Sequence, residues 1–209
     1  MKLILFGAPG SGKGTQAIML SKEYNIKAVS VGDILRENVK KETKLGSEAK
    51  KYMEKGLLVP DEIVARLIKK SIENGDFVLD GYPRNENQAK TLKNILTENG
   101  DDIEAFIYLE IGEEAMVNRL SKRRVCKFCG KNYHLKNMPP KRDNICDECG
   151  GELIQRRDDT PEVIKKRWEI FKNESQPVLN FYEKHNKMIK VDGRKDKDKV
   201  FEEVKAKLQ

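Results

Sequence analysis

Short apolar runs alternate along this chain with longer segments of helical period. The runs are Lys2–Phe6, Lys27–Val29, Phe77–Leu79, Phe106–Leu109 and Met188–Val191. Between and after them, apolar residues recur at helical spacing over Lys13–Tyr24, Asp61–Glu73, Glu86–Thr97, Glu113–Arg123, Pro161–His185 and Asp196–Leu208. This alternation predicts an α/β fold in three layers around a five-stranded parallel sheet. Thr160 followed by Pro161 is a strong helix start, a cap and then proline in the first turn. Pro177 falls inside the same helical segment and predicts a kink or a break.

Two stretches fall outside the alternation. Residues 30–59 read as short, charged helices, and residues 122–159 are polar and contain Pro139-Pro140 and all four cysteines. Both are expected as insertions over the ligand edge of the sheet. The expected organisation is a core of residues 1–29, 60–121 and 160–209, with inserts at 30–59 and 122–159.

The chemistry starts at the end of the first apolar run. Gly7-Ala8-Pro9-Gly10-Ser11-Gly12-Lys13-Gly14-Thr15 lies between a strand and a helix. In that context it is a phosphate-binding loop: glycines let backbone N–H groups turn inward, and the helix N-terminus adds positive potential. Lys13 supplies a point charge. The residue after Lys13 is Gly14, where Ser or Thr usually ligates Mg²⁺, and the hydroxyl arrives one position later at Thr15. Mg²⁺ is therefore expected to be held mainly by nucleotide phosphates and water. Asp80, at the end of the Phe77–Leu79 run, is a candidate partner for Mg²⁺ or its waters. Gly81 permits close approach to the backbone, Arg84 offers a fork for phosphate, and the Gln88 amide can read a base edge.

Composition adds to this picture. Of 209 residues, 38% are hydrophobic and 36% charged, and the net charge is +7, which suits a soluble protein with anionic partners. No apolar run is long enough to span a bilayer, and none resembles a signal peptide, so a cytoplasmic location is expected. Cys126-x2-Cys129 and Cys146-x2-Cys149, with 16 residues between the pairs, match the spacing of a four-cysteine zinc ribbon. Metal is expected over disulfides in a chain without export signals. His134 reads either as a spare ligand or as a surface or nucleotide-facing residue.

Taken together, the loop at 7–15, Asp80-Gly81-Tyr82-Pro83-Arg84, Ser30-Val31-Gly32-Asp33-Ile34-Leu35-Arg36, Gly56-Leu57-Leu58-Val59-Pro60-Asp61 and Asp192-Gly193-Arg194-Lys195 resemble the ordered motifs of adenylate kinases. The cysteine module resembles the lid of their long, metal-binding type. The resemblance covers almost the whole chain, with departures at Val31 (usually Thr), Tyr82 (usually Phe) and Lys122 (usually Gly). It implies reversible transfer of a phosphoryl group from Mg·ATP to AMP, giving two ADP. It implies a small monophosphate-binding insert at 30–59 and a zinc-stiffened lid at 122–159.

By that resemblance ATP meets Gly10, Ser11, Gly12, Lys13, Gly14, Thr15, Arg119, Arg123, Asn132, Tyr133 and Lys195. AMP meets Val31, Arg36, Leu57, Leu58, Val59, Gly81, Tyr82, Pro83, Arg84, Gln88, Arg156 and Arg167. Lys13, Asp80, Arg84, Arg119, Arg123, Arg156 and Arg167 carry catalysis. Zn²⁺ at the four cysteines is structural. Arg119 and Arg123 are expected on one helix face, four residues apart. A monomer with nucleotide partners is expected, with no nucleic acid. Two alternatives stand beside this reading: a nucleic-acid-binding zinc ribbon carried by a basic P-loop protein, and a kinase for another monophosphate.

Overall fold

The first strand, β1 (Lys2–Phe6), has apolar residues on both sides, and this places it at the centre of the sheet. Leu3 and Leu5 face one layer while Ile4 and Phe6 face the other, as the two-residue strand period requires. The computed structural model describes residues 1–73 and 75–209. The remaining strands of the main sheet are β2 (Lys27–Ser30), β3 (Phe77–Asp80), β4 (Ala105–Glu110) and β8 (Met188–Asp192). All pairings are parallel, in the order β2-β3-β1-β4-β8, with Leu3 opposite both Val78 and Ala105. Each expected strand is present.

On one face, α1 (Lys13–Tyr24) and α8 (Lys197–Leu208) bury Ala17, Leu20, Val200 and Val204 against Leu3, Leu5, Val78 and Ile107. The other face is covered by α4 (Asp61–Ile72), α5 (Glu86–Glu98) and α7 (Pro161–Lys184), which pack Ile68, Leu92 and Val178 around Ile4, Phe77 and Phe106. Two short helices, α2 (Val31–Lys40) and α3 (Lys44–Met53), join this second core through Leu35 and Ala49. Ser30 and Thr43 cap them by accepting from the N–H groups of Asp33 and Gly46.

Pro177 neither ends nor splits α7, which runs unbroken from Pro161 to Lys184. Buried Ser175, Val178 and Tyr182 flank the proline, and Tyr182 stacks on Phe106 at 4.0 Å between ring centroids. Packing of this face outweighs the one lost backbone hydrogen bond.

A separate small sheet lies within residues 123–154. It is antiparallel, with β5 (Arg123–Cys126) between β6 (Asn132–His134) and β7 (Leu153–Ile154). Its interior is Cys126, Tyr133, Cys146 and Leu153. A further helix, α6 (Glu113–Ser121), packs Met116 and Leu120 onto Ala8 and Ile164, bracing the loop after β1. Among the described residues, no helix is long and apolar enough to cross a membrane.

Candidate functional site

The carboxyl ends of the parallel strands converge on one edge, where doubly wound sheets bind ligands. The loop after β1 supplies the first part. Gly7, Gly10 and Gly12 have φ of 148°, 77° and 100°. A Cβ at Gly7 would lie 2.5 Å from the Leu109 carbonyl oxygen and 2.7 Å from Ser11 Oγ, so only glycine fits there. Gly12 caps α1 without a side-chain hydrogen bond, so no side chain takes up the helix's leading N–H groups. Lys13 Nζ folds back on the loop and donates to the carbonyls of Gly7 and Ala8 at 2.8 and 2.9 Å. Burial pushes its pKa down to about 8, with Asp80 pulling the other way and Arg84, Arg167 and Arg123 adding to the push.

Asp80 ends β3 beside this loop, with Oδ2 3.4 Å from where a Gly14 Cβ would stand. Burial raises its pKa, and Lys13 and Arg84 oppose that rise. A carboxylate here offers a hard oxygen donor suited to Mg²⁺ or its waters. The loop after β8 closes the same corner. Gly193 approaches the Ser11 carbonyl, and Arg119 bridges the two loops by donating to the Gly10 and Arg194 carbonyls at 3.3 and 3.2 Å. The Lys195 side chain turns to Glu203 at 2.6 Å.

Arg123 does not share a helix face with Arg119. α6 ends at Ser121, and Arg123 opens β5, because the chain must turn there to begin the small sheet. Arg123 instead forms a fork on Asp159, with Nε and Nη2 at 2.8 and 2.5 Å. The Asp159 side chain is wholly buried and also accepts from Arg167 Nη1 at 3.2 Å. Arg167 further holds Asp158 Oδ2 at 3.1 Å. Its pKa is lowered to about 10, by burial first, with Arg123 and Arg84 pushing further and Asp158 resisting. Arg156 is lowered to about 9 by burial and by repulsion from Arg36 and Arg123. Its Nη2 donates to Asn132 Oδ1 at 2.7 Å, while its buried Nε has no partner. Cations thus outnumber the acids that face them, and they are held in surroundings that disfavour their charge. An anion between them would relieve both costs.

Beyond the arginines lies an open pocket of about 610 Å³. Val31, Leu35, Met53, Leu57, Val59 and Val64 give it an apolar wall, and Arg36, Arg84, Gln88, Asp158 and Arg167 a polar one. Leu58, Gly56 and Gly81 also border it. Arg36 is paired with Asp33 at 2.5 Å, and Arg84 Nε rests on the Gly81 carbonyl at 3.0 Å. The expected residues Val31, Arg36, Leu57, Leu58, Val59, Gly81, Arg84, Gln88 and Arg167 therefore meet in one cavity. Tyr82 and Pro83 do not line it. Tyr82 is 1% exposed and packed in the main core, because its ring is better buried there than left in a polar mouth.

The four cysteine sulfurs lie within 4.8 Å of one another, and all four thiols are free. Cys126 to Cys149 is 3.4 Å and Cys129 to Cys146 is 3.5 Å, far from a disulfide bond of about 2 Å. Four thiolates around Zn²⁺ at about 2.3 Å would stand about 3.8 Å apart, so the donor set fits that ion. Tyr133, expected to meet ATP, lies in β6. Its side chain is buried inside the small sheet, with the hydroxyl 3.4 Å from Cys146 Sγ and accepting from the Asp147 N–H at 2.7 Å. The two-residue period of β6 sends Tyr133 inward and its neighbours Asn132 and His134 outward. His134 lies outside the cysteine cluster. Its Nδ1 accepts from the N–H groups of Lys136 and Asn137, and its buried Nε2 has no partner.

Sequence reasoning overlooked Asp61, Asp159 and Asn85 as parts of the site. Asp61 read only as the close of an insert and Asp159 only as the end of the module. The one signal for Asn85 was its position before a helical period, the mark of a capping residue.

Residues 5–187 match the family model described as adenylate kinase. The chain is 47% identical over 212 positions to an adenylate kinase of Caldanaerobacter subterraneus subsp. tengcongensis, covering all of this chain and 96% of that one. It is 48% identical to an adenylate kinase of Methanosarcina mazei and 47% identical to one of Methanocella arvoryzae. Those matches cover all of this chain and 98% and 99% of the relatives.

Proposed function

This chain belongs to the adenylate kinase family and is an ATP:AMP phosphotransferase, and we propose that Lys13, Arg84, Arg119, Arg123, Arg156 and Arg167 form the centre across which the phosphoryl group passes. The observation that carries this assignment is the crowding of these cations, with few facing acids, between the glycine loop and the 610 Å³ pocket. The glycine loop, Lys13 and Thr15 take the triphosphate. The backbone near Lys195, with Arg119, takes the donor nucleoside. Arg36 and Arg84 hold the acceptor phosphate, and the wall from Val31 to Val64 takes its base.

The acceptor is a phosphate anion, so no side chain needs to remove a proton. The protein's part is position and charge. Arg123, Arg156 and Arg167 sit where negative charge spreads over the transferring oxygens, and each such donor is worth about 3 kcal/mol of barrier. Mg²⁺ arriving with ATP neutralises phosphate charge, and Asp80 is placed to hold its water shell. Water competes as acceptor, so residues 30–59 and 122–159 close over the two nucleotides to exclude it. Cys126, Cys129, Cys146 and Cys149 would hold Zn²⁺, which there would cross-link the lid without entering the chemistry. All of these groups come from one chain, so a monomer suffices.

The test is ADP formation from Mg·ATP with AMP, GMP, CMP and UMP in turn, beside a control without acceptor. Turnover with AMP far above the rest is expected. Equal ADP without any acceptor would mean hydrolysis and would overturn the assignment of the pocket.

A further inference from the structure

Gln88 is 2% exposed, and its amide is the polar feature of the pocket best suited to a base edge. Its orientation is not free. Oε1 accepts from the Arg84 N–H at 2.8 Å, and Nε2 donates to Asp61 Oδ1 at 2.6 Å. A backbone N–H can only donate and a carboxylate can only accept. Turning the amide over would set N–H against N–H at Arg84 and oxygen against carboxylate at Asp61.

The carboxylate is itself held from several sides. Asn85 Nδ2 donates to both oxygens of Asp61 at 3.1 and 3.3 Å, and Asn87 Nδ2 donates to Oδ2 at 3.0 Å. Asn85 is pinned in turn, because its Oδ1 caps α5 by accepting from the Gln88 N–H at 2.8 Å. Asp61 therefore gathers three amides at the junction of α4 and α5. It is not among the residues lining the cavity.

A primary amide has two N–H groups and an oxygen with two lone pairs. With one N–H spent on Asp61 and one lone pair on Arg84, one of each remains. A 6-aminopurine presents an acceptor at N1 and a donor at N6. A 6-oxopurine presents a donor at N1 and an acceptor at O6. The two edges need opposite amide polarities, and a polar site discriminates strongly when the wrong ligand leaves groups unpaired.

We propose that Asp61, without touching the nucleotide, locks the Gln88 amide in one polarity and so makes the acceptor pocket select a 6-aminopurine over a 6-oxopurine monophosphate. Asp61 is a positioning residue, and its role rests on the reading of Gln88 as the base contact. Asparagine at this position presents either an oxygen or an N–H to Gln88, so it removes the carboxylate's share of the lock and leaves only the Arg84 N–H to hold the amide.

The experiment compares kcat/KM for AMP and for IMP, the 6-oxo analogue, in the wild type and in Asp61→Asn, Asn87→Ala and Gln88→Leu. In Asp61→Asn the AMP preference should fall about tenfold or more. The change should enter through the KM of the monophosphate, with kcat for AMP and the KM of ATP within about twofold. Asn87→Ala loses a donor to the same carboxylate but leaves the Gln88 bond in place, so it should keep the wild-type preference. A loss of equal size in Asn87→Ala would show a general packing role and overturn the proposal. Unchanged preference in Asp61→Asn beside a collapse in Gln88→Leu would overturn it while leaving Gln88 as the base contact. Preference retained in Gln88→Leu would overturn both. The ratio does not depend on the fraction of folded enzyme. If Asp61→Asn does not fold, Asp61→Ser, which also enforces no single polarity, takes its place.

Discussion

Replacing Asp159 with Asn should damage stability and turnover together. Its carboxylate is wholly buried and accepts three hydrogen bonds, two from Arg123 and one from Arg167. The substitution keeps the shape but removes the one negative charge between two guanidinium groups. One amide oxygen must then serve where two carboxylate oxygens did. Breaking a buried ion pair from one side costs about 3–5 kcal/mol, and the lower end applies because Asn still accepts. In a chain of this length each kcal/mol moves the melting point by about 2–4 °C, so a fall of about 6–12 °C is expected. Turnover should fall about a hundredfold, since Arg123 and Arg167 lose their fixed aim at the transferring group. Calorimetry and a coupled ADP assay run well below the lowered midpoint measure the two effects. A variant with kcat within about threefold of wild type would refute the claim that Asp159 aims these arginines.

Four further outcomes follow from the geometry of the site. Cys126→Ser, or metal removal by a chelator, should lower thermal stability far more than turnover at moderate temperature; equal loss of both in a folded protein would contradict a purely structural metal. Gly7→Ala forces a Cβ onto the Leu109 carbonyl and Ser11 Oγ at a φ of 148°, so destabilisation of about 2 kcal/mol or more is expected on chemical denaturation. With its pKa lowered to about 8, ligand-free Lys13 loses its proton above that pH, whereas the phosphate-bound ammonium keeps it. Mg·ATP binding near pH 9 should therefore take up protons, as titration calorimetry in buffers of different ionisation heat would show. Proton release there would be the contrary result. By the same linkage, the ligand-free fold should gain stability as pH rises from about 8 toward the ordinary lysine value, because the unfolded chain holds the proton that the fold gives up.

The parts legible in the sequence were those set by local pattern. The central strands β1, β3 and β4 showed as apolar runs because both faces are buried, and the glycine loop showed because its spacing is its mechanism. The cysteines showed because ligand spacing is local to each knuckle. What stayed hidden depends on residues distant in the chain. Pro177 predicted a kink or a break, and with Val178 and Tyr182 packed beside it the helix runs unbroken. Arg123 was placed on a helix face although its partner Asp159 lies 36 residues away. Tyr133 and Tyr82 were read as nucleotide contacts, yet their rings are buried in the lid and the main core. Asp61 showed only as the last residue of a motif, because its part here comes from three amides contributed by the next helix and its cap.

The Arg123–Asp159 pair also marks where the chain leaves the main body and where it returns. Those two points are tied by the bond that holds an arginine of the proposed transfer centre, so everything between them is an inserted cassette on closed ends. Loop-closure entropy grows only slowly with length, so such a cassette can be lengthened, shortened or exchanged at little thermodynamic cost. Within it, Arg156 and its partner Asn132 are the positions such an exchange must supply again. The fold thus separates the part of the lid that evolution can rewrite, metal and all, from the clamp at its base that it must keep.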